Sequence, residues 1–114
     1  MSEAAFTDAT YRGVTEADGS TRLVVVERSQ GGSTELAHDG RFADRIGWGW
    51  GGPPALELAR ALLQDAVGAA AADRLVDDLR EVLVRLDGSW AISASWLRAW
   101  AHAQEVVGQE GRAT

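Results

Sequence analysis

An α+β fold is what this chain predicts: a small N-terminal antiparallel β-meander of two or three strands, joined by one later strand and packed against about three helices. Three observations carry that expectation. The 114 residues, 46% hydrophobic and 25% charged, suit a single domain large enough to bury a core. The first third holds a β-branched run bounded by turn signals. Beyond residue 54, two stretches repeat their apolar residues at helical spacing. The expected organisation is a flexible N-terminus over 1–9, one domain over 10–106, and a flexible tail over 107–114.

Each element has its own reason. Thr10 to Val14 can form a short strand, and Asp18-Gly19 then supplies a tight turn, because glycine tolerates the positive φ of hairpin turns. Thr21 to Arg28 is the clearest strand. Its Val24-Val25-Val26 run is apolar on both faces, which suits a central or covered position. A second turn at SQGGS leads to a weaker strand, Thr34 to His38. GWGWGGPP, residues 47–54, has no side-chain periodicity, and its two prolines suit a helix start, where their missing N–H groups are not needed.

From Ala55 to Val67, Ala55, Leu58, Ala59, Leu62, Leu63 and Ala66 share one side of a helix, with Glu57, Arg60 and Gln64 opposite and Gly68 as the stop. A second helix is expected over Ala70 to Leu86. Its apolar arc holds Leu75, Val76, Leu79, Val82, Leu83 and Leu86. Asp87-Gly88 ends it. SWAIS reads as one more strand, with Trp90 and Ile92 on one face, and Ser93 or Ser95 can cap a last helix reaching about Gln104. Trp90, Trp96 and Trp100 all fall on positions expected to face inward.

Charge and composition exclude several functions. All eleven basic residues are arginine, the net charge is −6, and each half carries an equal share of the excess acid. With no cluster of cations to release counterions from phosphates, direct binding of duplex nucleic acid is disfavoured. Cysteine is absent, which removes disulfides, thiol catalysis and cysteine zinc sites. No apolar run approaches a membrane span, and the acidic start lacks the basic residues of a signal peptide, so a cytoplasmic, non-membrane protein is expected.

YRG at Tyr11 to Gly13, IGWGWGGPPALELARALL at Ile46 to Leu63, and WAIS followed by Trp100 form a recognisable constellation. It resembles a family of small bacterial, plasmid and phage proteins classed as a domain of unknown function, over about residues 10–101. In that family an aromatic-Gly-aromatic-Gly-Gly loop runs into an alanine- and leucine-rich helix, and a tryptophan strand and final helix follow. This chain departs from the pattern in two places. It has GGPPA where the family has a serine and glycine before one proline, and its second helix lacks the usual aromatics. The resemblance implies a shared fold and a mobile-element origin, and brings no activity with it.

The glycine-rich loop is the most informative candidate. Gly51 and Gly52 ahead of a helix start could admit a phosphate or carboxylate, with Arg41 or Arg45 as counter-charge. Trp48 and Trp50 could stack on a base or anchor a protein partner. Two facts weigh against an anion site: no Gly-Lys-Ser/Thr follows, and Pro53 and Pro54 remove two N–H groups. The structural alternative packs both tryptophans on the helices, with the glycines making room.

On the second helix, Asp73, Asp77 and Glu81 form an acidic stripe, offset by Arg74 with Asp78 and by Glu81 with Arg85. It is a solvated face or a surface for a basic partner. A His38–Asp44 acid–base pair is chemically possible, but no serine elbow accompanies it, and His102 is the only other histidine. No catalytic residue, cofactor or metal is therefore expected.

The expected function is non-catalytic binding of a protein partner through the Trp/Gly loop and the acidic face, as an accessory protein of a mobile element, with a homodimer compatible. The alternative is a small-molecule or nucleotide binder at the loop and first helix start.

Overall fold

The computed structural model describes residues 9–15, 22–29 and 31–113, with side chains as far as residue 107. Its elements run β1 (Ala9–Thr15), β2 (Arg22–Arg28), β3 (Gly32–Glu35), α1 (Pro53–Ala66), α2 (Ala69–Leu83), β4 (Trp90–Ser93) and α3 (Ala94–Ala113). The strands make one antiparallel sheet in the order β3-β2-β1-β4, so the fold is α+β, with three strands first and one arriving later. The Asp18-Gly19 turn lies outside the described residues.

Strand pairing sorts the side chains. Tyr11 stands opposite Val26 on one side and Ile92 on the other, and Gly13 stands between Val24 and Trp90. With a period of two, these residues share the face that meets the helices, and Tyr11, Val24 and Val26 are fully buried there. Gly13 is required at its position: a Cβ would fall 2.2 Å from the Trp90 ring, which lies across the glycine backbone. β2 is an inner strand, as its three valines suggest. Val25 and Leu23, on the opposite face, stay partly exposed.

Boundaries shift for local reasons. β3 ends at Glu35, three residues before the expected end, although Leu36 N–H still donates to Val24 O at 2.8 Å. Gly68, at φ 143°, separates α1 from α2; its N–H donates to Leu63 O and its carbonyl accepts from Ala72 N–H. α2 stops at Leu83 because the next turn tightens, with Arg85 and Leu86 N–H donating to Val82 and Leu83 carbonyls. Ser93 caps α3 through a 3.0 Å bond from Trp96 N–H. α3 then continues to Ala113, beyond the expected end near Gln104 and through most of the segment expected as a tail.

The core lies between the inner sheet face and the helices. α1 is its centre, with Leu58, Ala59, Ala61, Leu62 and Leu63 buried, and Leu75, Leu79 and Leu83 of α2 and Leu97 and Ala101 of α3 close it. Among the described residues, no helix is long and apolar enough to cross a membrane.

Candidate functional site

Residues 36–52 join β3 to α1 without helix or strand. A connection this long, in a compact domain, usually either serves a function or is disordered. Here it is held at both ends by buried side chains.

The first anchor is Glu57. It lies on the helix side expected to be polar, yet only 1% of it is exposed, because the loop folds back over it. Its carboxylate accepts from Gly40 N–H at 2.6 Å, Phe42 N–H at 2.8 Å and Ala43 N–H at 3.3 Å, and His38 Nδ1 lies 2.6 Å from Oε2. Burial pushes this carboxyl up. The Phe42 N–H, His38 and the remaining loop N–H groups outweigh that and hold it below its ordinary value. His38 thus pairs with Glu57, and not with Asp44, the partner that was only chemically possible. One turn along α1, Arg60 is also buried, against expectation. It donates to Asp73 Oδ1 at 2.7 Å and reaches Asp39 Oδ2 at 3.4 Å, so it ties the loop to α2. Asp39 is held below the usual carboxylate range, chiefly by the Arg41 N–H and then by Arg60.

The second anchor is Trp48. It was a candidate surface residue, but the structure puts it in the core at 1% exposure. Its indole N–H donates to Gly88 O at 3.0 Å, its ring meets Trp90 edge-on at 5.3 Å, and the Arg22 guanidinium lies 5.1 Å from the ring centroid while donating to Trp48 O. Gly49, at φ 90°, reverses the chain against α2, where its N–H donates to Leu83 O and a side chain would press on Leu86 O.

Trp50 is thereby turned outward, 56% exposed. Its ring lies against Gly52, where a Cβ would be 2.0 Å away, so Gly52 serves an aromatic contact and not an anion cradle. The start of α1 offers an anion little in any case. Pro53 and Pro54 lack donors, and Ala55 N–H already donates to Gly52 O. Gly51 is exposed and sits near Val84.

The other candidates separate. Arg45 is exposed, while Arg41 leans on Asp73 at 3.4 Å. The acidic stripe is broken, since Asp73 is occupied by Arg60 and Arg41, Asp77 faces solvent, and Glu81 pairs with Arg80. The expected pairs along α2 do not form: Arg74 turns across to Glu105 of α3, which leaves Asp78 and Arg85 without ion-pair partners among the described residues. Trp96, expected inside, is 44% exposed and stacks on Trp100 at 6.4 Å. Among the described residues, no three His, Cys, Asp or Glu side chains gather as a metal-ligating group.

Sequence reasoning missed Glu57 and Arg60. The available signal was α1 itself, whose alanines and leucines occupy every side and leave the few polar residues inside whatever covers them. Fold and site together define a small α+β domain that presents one organised loop. Comparison with family models, curated proteins and solved structures finds no match for the chain.

Proposed function

We propose that this domain is a non-catalytic protein-interaction module whose recognition element is the 36–52 loop, with Trp50 as its anchor. The observation that carries this reading is a largely exposed indole on a backbone pinned on both sides by Trp48, Gly49 and the start of α1. A large aromatic already held in place loses little freedom on binding and buries much apolar area, which is the character of an interface hot spot. Phe42 adds a second partly exposed ring on the same loop. A partner that fits is a protein with a shallow apolar pocket. The nucleotide alternative draws less support, because the helix start it needs lacks donors and carries the Trp50 ring.

The test compares proteins retained from a native-host extract by the wild-type domain, by Trp50→Ala and by Trp50→Phe. The expected result is a specific partner lost with alanine and partly kept with phenylalanine, at unchanged melting temperature. A set of retained proteins indifferent to residue 50 overturns the reading.

A further inference from the structure

α2 and α3 flank an open groove of about 500 Å³ whose lining includes no residue of the 36–52 loop. Asp78, Glu81 and Val82 of α2 line one side, continued by Arg85 and Leu86 from the tight turn that follows the helix, and Trp100 and Gln104 of α3 line the other. The outer side of α3 continues this surface. At 100° per residue, Trp96, Ala99, Trp100, Ala103 and Val107 fall within an arc of about 100° that carries no charge between residues 94 and 107. Trp96 is 44% and Val107 62% exposed, so the helix has a second apolar face that the monomer leaves open.

The charges in the groove identify what covers it. Asp78 and Arg85 have opposite signs, line the same groove seven residues apart in the chain, and lack ion-pair partners among the described residues. A basic partner would satisfy Asp78 and oppose Arg85, and an acidic partner would do the reverse. An antiparallel copy of the same segment, the end of α2 with the turn after it, satisfies both, because a twofold axis near Val82 places Asp78 of each copy against Arg85 of the other. Glu81, near that axis, already has the Arg80 guanidinium at 3.1 Å to offset its charge.

We infer that the α2–α3 face is the seat of a second copy of this chain, joined through reciprocal Asp78–Arg85 pairs and the uncovered tryptophan face of α3. Trp50 takes no part in this lining, so either proposal can fail without the other.

Sedimentation velocity over a concentration series tests it on the full chain. The wild type should reach twice the 12.1 kDa chain mass. Asp78→Arg and Arg85→Asp should each weaken the dimer roughly tenfold or more, since each sets like charges together twice. The double exchange, Asp78→Arg with Arg85→Asp, should restore it, and Trp96→Glu should abolish it with the circular dichroism unchanged. A wild type that stays monomeric overturns the inference. So does a dimer indifferent to both single changes, or one that the double exchange fails to rescue.

Discussion

Glu57 brings a carboxylate into a place that water does not reach, and four donors make it tolerable there. Removing it strands those backbone N–H groups, and a buried donor left without an acceptor costs its full desolvation. Glu57→Ala is therefore expected to lower unfolding free energy by ~2–4 kcal/mol in urea titrations. The pH dependence has a definite sign. The folded-state value lies below the ordinary 4.5, so the stabilisation is present above about pH 4.5 and is lost as the pH falls through the lowered value. Glu57→Gln should flatten that acid limb, and an unchanged limb would show that the carboxylate does not hold the loop. Only the apolar surroundings of α1 mark this residue in the local sequence. A glutamate three residues after a proline pair, on the side of α1 opposite its apolar stripe, reads as solvated polarity, and only a long-range loop can bury it.

At the scale of elements, the spacing of apolar residues was enough for the sheet and helices, because periods of 2 and 3.6 are local properties of the chain. The β2 valines, the Trp90–Ile92 face and the α2 stripe were all legible in this way. The loop was not. Gly47-Trp48-Gly49-Trp50 is symmetric as a string, and what separates the two indoles is the reversal at Gly49 and the carbonyls of Leu83 and Gly88, supplied from over thirty residues away. Trp96 misled for a different reason, since an indole is expected inside and the exception marks an uncovered face. The two loop tryptophans should differ sharply in their effect on stability. Trp48→Ala removes a core ring and its hydrogen bond and should cost ~3–5 kcal/mol. Trp50→Ala should stay within about 1 kcal/mol, since most of the side chain is already in water. Chemical denaturation of the two variants compares them directly, and equal losses would mean that Trp50 is structural.

For the molecule as a whole, the 36–52 segment is joined to every layer of the fold. Glu57 and Arg60 tie it to α1, Asp73 and Leu83 to α2, Gly88 to the approach of β4, and Arg22 to the sheet. A segment held in this way opens with the domain and not ahead of it, and that rigidity is what lets Trp50 act as a fixed anchor. Amide hydrogen exchange resolved by residue measures this most directly. The Gly40 and Phe42 N–H groups, bonded to Glu57, should exchange with an opening free energy close to that of global unfolding and lose their protection in Glu57→Gln. Exchange of both amides in the wild type at the rate of an unstructured chain would contradict the account.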